Sequence, residues 1–389
     1  MTSRLNRRTF LGGSAALSGA LAAGGGLPLS LTSASASASS AAPASALSYG
    51  PAPGIAKLNA NENPYGPSDS ALAAMLQASQ RGAYSVGEAV PRLKSMIAER
   101  HGLTPEHIAL SSGSSGVLTY LGEARSAKGK ILGPDLFWDT TAKMATRHGG
   151  SIKRLPRNAD LAIDLDAMYE AITDDVALVQ ITNPNNPTGL VLDGDALRAF
   201  CKKASRKATV LVDEAYNELT DKPDYTSMVD LVREGYDVVV ARTFSKIYGM
   251  AGMRVGYLMA APETAAEVMS YSLGDYALNQ AGVAGAVASY NDLAFLEMSR
   301  SRVVEARDMV QAAVAKAGLR ALPSATNFVF VDLGGLNAET FRQKMAERNV
   351  LIRGIYRDYT HWSRVSMGLL GDVEQYVAAL PRVLDEMNA

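Results

Sequence analysis

Short, nearly continuous apolar runs rich in β-branched residues punctuate the middle of the chain, at residues 176–182, 209–212, 237–241 and 255–260. Runs of this length without strict alternation predict strands buried on both faces, as in a largely parallel sheet. Between the first two, residues 193–207 carry apolar positions at helical spacing, with Asp193 placed to cap the start. Strands alternating with helices predict an α/β doubly wound core. From about residue 281 the pattern changes. Longer helical stretches at 293–317, 338–348 and 373–387 alternate with short strands at 327–332 and 364–367, which predicts a smaller α+β domain. A chain of 389 residues is too long for one small domain, so two structural domains around one site are expected. The expected partition is a large domain at 81–280 and a C-terminal small domain at 281–389. An N-terminal arm with a small-domain segment at 46–80 would precede them.

Composition narrows the function. With 47% hydrophobic and 20% charged residues, the chain can bury a sizeable core. A net charge of −1 offers no basic face, so nucleic acid is a poor partner. The single cysteine, Cys201, lies in a helical segment and reads as a half-buried small hydrophobe. His101, His107, His148 and His361 show no metal-ligand spacing, so no metal site is expected.

The first 45 residues read as an address. No charged residue occurs between Arg8 and Lys57. Arg7-Arg8 precede Thr9-Phe10-Leu11, then a Gly/Ala/Leu stretch, then an Ala/Ser run with several cleavage frames between residues 34 and 46. The pattern resembles a twin-arginine (Tat) signal peptide and implies a periplasmic or secreted protein, with the cytoplasm as the alternative. The apolar stretch is diluted by Gly and Ser, so a lasting membrane anchor is not expected.

Ligands of open α/β sheets collect beyond the carboxyl ends of the strands. Three successive strand ends deliver polar groups here. After residue 182 comes Asn183-Pro184-Asn185-Asn186-Pro187-Thr188-Gly189. After residue 212 comes Asp213-Glu214-Ala215-Tyr216. After residue 241 comes Arg242-Thr243-Phe244-Ser245-Lys246, with Met253-Arg254 beyond. Alone, each has a bland account as a turn, a cap or a solvated lysine. Upstream, Ser112-Gly113-Ser114-Ser115-Gly116 separates a strand-like segment from a helical run, a natural anion site at a helix start.

Taken together, this order and spacing resemble fold-type I pyridoxal-phosphate (PLP) enzymes over nearly all of residues 46–389. Leu58-Asn59-Ala60-Asn61-Glu62-Asn63-Pro64 makes the likeness strongest to the histidinol-phosphate aminotransferase branch. The resemblance implies the following roles. Lys246 would carry pyridoxal 5′-phosphate as a Schiff base and later move the Cα proton, a task that suits a lysine whose pKa falls on burial. Asp213 would pair with the pyridinium nitrogen, and Tyr216 and Asn186 would bond the ring oxygen. Ser114, Ser115, Ser245 and Arg254 would cradle the phosphate. Trp138, preferred over Phe137, would stack on the ring. Arg364 would hold the substrate carboxylate, with Arg353 as a second contact. Glu62, Asn63 and Asn327 would line the same cleft. Tyr84 would cross a homodimer interface to the partner's phosphate.

Three places depart from the family pattern: the Gly-Ser-Ser-Gly turn, added length in residues 134–149, and Asp275 where a proline is usual before Tyr276. With export, they suggest an unphosphorylated L-amino acid in place of histidinol phosphate, with a cationic side chain meeting Asp275 or Glu62. Transamination is the leading reaction. A PLP-dependent amino-acid oxidase, deaminase or racemase on the same fold is the alternative, and a non-catalytic PLP or amino-acid binder is a further one.

Overall fold

The computed structural model describes residues 49–389, so the segment read as an export signal lies outside the described residues. The described residues form twelve strands: β1 Ala56–Lys57, β2 Ile108–Ser112, β3 Lys130–Pro134, β4 Ile152–Leu155, β5 Val176–Thr182, β6 Thr209–Asp213, β7 Val238–Thr243, β8 Val255–Met259, β9 Arg320–Ala321, β10 Phe328–Asp332, β11 Val350–Leu351 and β12 Trp362–Ser366. Seven of them build one sheet in the order β2-β8-β7-β6-β5-β3-β4. Every neighbouring pair from β7 to β4 is parallel, and β8 alone runs antiparallel to both of its neighbours. The sheet is α/β and mostly parallel, as the apolar runs predicted.

Those runs are continuous because both faces are covered. Leu178, Leu211, Val239, Ala241 and Leu258 join one apolar cluster, with Val117, Leu118 and Leu121 of the helix Ser114–Ser126. The alternate residues, Val179, Val210, Val212, Val238 and Val240, join the other cluster. There they meet Leu197, Phe200 and Cys201 of the helix Gly194–Ala204. Asp193 caps that helix by accepting from the Ala196 amide, as its place in the sequence suggested. Cys201 is fully buried rather than half-buried, because its helix lies flat on the sheet.

A second, antiparallel sheet of β12, β10 and β9 carries the later strands, with β10 in the centre. The long helices Leu293–Lys316 and Leu370–Asn388 lie at the positions their periodicity predicted. The short pair β1 and β11 is parallel and ties the N-terminal arm to the C-terminal part of the chain. Leu58 N–H donates to the Leu351 carbonyl and Ser366 N–H to the Leu58 carbonyl, so the Leu58–Pro64 segment is pinned beside β12. No helix among the described residues is long and apolar enough to cross a membrane.

The tightest approach in the large sheet lies beside the helix start. A Cβ at Gly256 would stand 2.1 Å from the Ser114 nitrogen and 2.6 Å from the Gly113 carbonyl carbon. Both are backbone atoms, so a substitution must move the helix itself. Gly256→Ala is expected to destabilise the fold by about 1–3 kcal/mol. A fall in the thermal midpoint of the purified protein checks this, and an unchanged midpoint would show that the helix start yields freely.

Candidate active site

A cavity of about 870 Å³ opens at the carboxyl ends of β5, β6 and β7. Its wall includes Thr182, Asn186, Asp213, Tyr216, Ser245 and Lys246, delivered by the three strand ends as the sequence order implied. The period of two in β6 and β7 sets which groups face it. Asp213 and Thr243 follow the parity of Leu211 and Ala241 and reach the cavity, whereas Glu214 and Arg242 point to the opposite face.

Lys246 is the centre of this arrangement. Its Nζ donates to the Asn61 carbonyl at 2.8 Å and lies 5.4 Å from the centre of the Tyr216 ring. Burial, aided by the nearby Arg364 charge and opposed by Asp213 and Glu62, lowers its pKa to about 8. Asp213 shows the converse. Burial raises its carboxyl to about 7, against the pull of the Ala215 N–H and the Lys246 charge. Its Oδ1 accepts from Ala215 N–H at 3.2 Å. A buried carboxyl with so few donors fits a cationic ring N–H brought in by a ligand.

Tyr216 accepts from Asn61 Nδ2 at 2.9 Å and packs edge-on against Phe328, so its hydroxyl is oriented from behind. Burial raises its pKa, which keeps it a neutral donor. Ser366 Oγ donates to Asn61 Oδ1 at 2.6 Å. Asn61 thereby serves Lys246 through its carbonyl and Tyr216 through its side chain. This part of Asn61 is not visible in the sequence, since a main-chain acceptor leaves no mark in residue identity.

At one end of the cavity, Arg254 Nη2 donates to Ser115 Oγ at 3.0 Å and Nη1 to Ser245 Oγ at 3.4 Å. Ser114 and Ser115 open the helix Ser114–Ser126, so its free N–H groups point the same way. Gly113 has φ +77°, and a Cβ there would meet Arg254 Nη2 at 2.1 Å. The glycine therefore lets the guanidinium lie against the helix start. A cation, two hydroxyls and a helix N-terminus form a cradle that fits a phosphate dianion.

At the other end stands Arg364, buried beneath Phe328 and Tyr356. It donates from Nη1 to Asn186 Oδ1 at 2.8 Å and from Nη2 to the Asn59 carbonyl at 3.3 Å, while its buried Nε has no partner. A guanidinium held by neutral acceptors, with a donor unspent, suits a carboxylate. Phe137 and Trp138 both line the cavity, but Trp138 is 39% exposed whereas the Phe137 ring is buried against Gly133. Trp138 is thus the freer of the two to cover a ring.

Four expected site residues are not on this wall. Asn63 spends its amide on the Ile247 carbonyl and Ser299 Oγ, so it braces the segment after Lys246 from behind. Asn327 donates to the Glu62 carbonyl at 2.9 Å and is buried outside the cavity. Asn63 thus serves the main chain at Ile247 and Asn327 the main chain at Glu62, which corrects their reading as cleft residues. Tyr84 is 69% exposed and Asp275 lies on the exposed turn Gly274–Ala277, and neither lines the cavity of its own chain. Glu62 does line it but is paired with Lys57. The wall also holds Lys143, Asp139, Arg353, Tyr356 and Arg357, of which only Arg353 was singled out from sequence. Among the described residues no cluster of His, Cys, Asp or Glu could hold a metal ion.

A phosphate cradle, an amine of lowered pKa, a buried acid and a carboxylate-ready arginine around one cavity of an α/β sheet fit the needs of a PLP-dependent enzyme of fold type I. Comparison with known proteins gives the family. The chain belongs to the class I and II aminotransferases, whose family model matches residues 53–380. It is 34% identical over 339 residues to histidinol-phosphate aminotransferase 1 of Cupriavidus pinatubonensis, covering 85% of this chain and 89% of that one. To the histidinol-phosphate aminotransferase of Moorella thermoacetica it is 34% identical over 334 residues, covering 85% and 86%. The crystal structure of histidinol-phosphate aminotransferase from Sinorhizobium meliloti in complex with pyridoxal-5′-phosphate superposes with a TM-score of 0.79 at 28% identity, covering 86% of this chain and 92% of that one. A Thermus thermophilus aspartate aminotransferase mutant, 21% identical with a TM-score of 0.76 and coverage of 84% and 96%, shares the fold. The cofactor is pyridoxal 5′-phosphate and the protein is an aminotransferase.

The lowered pKa of Lys246 has a direct consequence. Below about pH 8 the amine is protonated and cannot attack an aldehyde, and above it the neutral amine can. The rate at which apoprotein acquires the visible band of bound cofactor should therefore rise through about pH 8, well below the range of an ordinary lysine. Arg364→Met removes a positive neighbour and should move that midpoint upward. Stopped-flow absorbance across pH checks both, and a midpoint unmoved by the substitution would contradict the electrostatic account.

Proposed function

We propose that this chain is an exported, homodimeric aminotransferase acting on an L-amino acid that carries a second anionic group. In this reading Lys246 holds the cofactor covalently, Asp213 faces its ring nitrogen, and Tyr216 and Asn186 meet its ring oxygen. Ser114, Ser115, Ser245 and Arg254 bind its phosphate, and Trp138 covers its ring. Bound there, pyridoxal phosphate supplies a conjugated ring that withdraws electrons from the substrate Cα. Arg364 fixes the substrate carboxylate. Lys246 stands at the cavity floor, where its amine, neutral at mildly alkaline pH, would move the proton at Cα.

The observation that carries the substrate class is the charge left over in the cavity. Glu62 is neutralised by Lys57, Arg357 faces Asp135 at 3.1 Å, and Lys143 faces Asp139 at 3.0 Å. Arg353 makes no ion pair among the described residues, and its backbone bridges Arg364. A cationic side chain would thus find no free carboxylate on this wall, whereas an anion would find Arg353. This replaces the cationic substrate expected from sequence. The names of the histidinol-phosphate aminotransferase relatives are compatible with an anionic end, so histidinol phosphate belongs in the test.

Export rests on the twin-arginine stretch at the N-terminus. A Tat route moves folded proteins and would allow the cofactor to be loaded first. Dimerisation rests on the resemblance and on the outward position of Tyr84 and Asp275, which leaves both free to serve a second copy.

Single-turnover reactions of the holoprotein with L-glutamate, L-aspartate, histidinol phosphate, L-arginine and L-lysine test the substrate class. The anionic amines are expected to convert the cofactor to its amine form at least about tenfold faster, a difference of about 1.4 kcal/mol. Arg353→Met should erase most of that preference. Faster reaction with arginine or lysine would overturn it, and peroxide released in air with an unchanged cofactor would mean an oxidase instead.

A further inference from the structure

Immediately behind Asp213, on the face of the sheet turned away from the cavity, sits a buried ion pair that the chemistry above does not use. Glu214 is fully buried and its carboxylate is saturated. Oε1 accepts from the Met228 N–H at 2.7 Å. Oε2 accepts from Ser227 Oγ at 2.9 Å, Arg242 Nε at 3.1 Å and Arg242 Nη2 at 2.8 Å. Arg242 in turn donates to Ser227 Oγ at 3.0 Å and approaches Glu218 at 3.7 Å through Nη1. Both partners hang from the strand ends that carry the site. Glu214 N–H donates to the Ala241 carbonyl at 2.8 Å, and Ala241 is the register partner of Asp213.

The position poses an electrostatic problem. Asp213 and Glu214 are adjacent carboxyls, both withdrawn from water, and like charges in such a place oppose each other's ionisation. Glu214 is one of the groups that push the Asp213 carboxyl upward, along with burial. Facing Asp213 are Lys246, Tyr216 and Glu214. Facing Arg242 are Glu214, Glu218, Tyr257, Tyr290 and His101. Burial and the positive charge of Arg242 hold the His101 ring neutral, at a pKa of about 3, so it adds no charge at working pH. Arg242 is then the cation on that face in direct contact with Glu214.

We propose that Arg242 is a positioning residue for Asp213: by neutralising Glu214 and clamping it behind the β6–β7 strand ends, it lets Asp213 stay ionised where it meets the cofactor ring. This rests on the reading of Asp213 as the partner of the ring nitrogen. A pair that only stabilised the fold would not need to sit one residue from that carboxylate, and an apolar pair would fill the space without the desolvation cost.

The test uses the charge sign. Holoprotein is titrated with acid and base, and the midpoint of the cofactor's visible absorbance change is read beside the thermal midpoint. Arg242→Met leaves the Glu214 charge uncompensated, favours protonated Asp213, and should raise the absorbance midpoint by about one pH unit, tenfold in the proton equilibrium. Glu214→Gln leaves the cation in excess and should lower it. Arg242→Lys keeps the charge and should stay near wild type, even if its thermal midpoint falls. Opposite shifts with Lys near wild type support the proposal. Unchanged midpoints, or shifts of one sign in both neutralising variants, overturn it, whatever the thermal midpoints do. Should Arg242→Met not fold, Glu214→Gln against Arg242→Lys still gives the sign. Asp213→Asn is the reference: if it titrates like wild type, the reading of Asp213 fails, whereas a shifted Asp213→Asn beside unshifted Arg242 and Glu214 variants sinks this inference alone.

Discussion

The site depends on removing one lysine from water without giving it a full counter-charge. Lys246 is desolvated, hydrogen-bonded to a neutral carbonyl and placed between an acid, Asp213, and an uncompensated cation, Arg364. Desolvation favours its neutral form, and the balance of the two charges keeps that shift moderate. An amine so placed is a nucleophile and a base near neutral pH, which a solvated lysine is not. The same burial that frees the lysine raises Asp213, so the two groups move toward each other in pKa. Pairs of this kind, pushed in opposite senses by one environment, mark functional sites more often than structural ones.

The fold supplies that environment through a simple geometric rule. In β6 and β7, successive residues face opposite sides of the sheet. Asp213 and Thr243 look into the cavity, while Glu214 and Arg242 look into the packed side. Helix Ser114–Ser126 covers the cavity side and brings its N-terminus to the strand ends, which needs the missing side chains at Gly113 and Gly256. The N-terminal arm then closes the floor. Asn61 touches Lys246, Tyr216 and Ser366, and Asn59 touches Arg364, so a loop with no strand of its own ties the Arg364 end of the cavity to the lysine at its centre.

Much of this was legible in the chain. The strands at 176–182 and 209–213 stand out because they are buried on both faces, and the groups that follow them are set out in sequence order. Lys246, Asp213, Tyr216, Ser245, Arg254 and Arg364 could be named because side-chain chemistry at a strand end is visible as residue type. The antiparallel course of β8 was not visible, since hydrophobic periodicity carries no strand direction. Asn63 and Asn327 misled because an asparagine near a site can serve it or serve the backbone behind it, and only the hydrogen bonds decide. Glu62 lines the cavity as expected, but its pairing with Lys57, five residues away on the chain, leaves no mark in residue type. Arg353 stands out only in the structure, where Lys143 and Arg357 each face a carboxylate and Arg353 makes no ion pair among the described residues.

The central claim is covalent: one lysine, of all those in the chain, carries the cofactor. Reducing the holoprotein with borohydride, digesting it and mapping the peptides by mass spectrometry addresses that claim most directly. The account predicts one phosphopyridoxyl adduct per chain, on the peptide bearing Lys246. An adduct on a different lysine, or none on a protein that retains its colour, would contradict it.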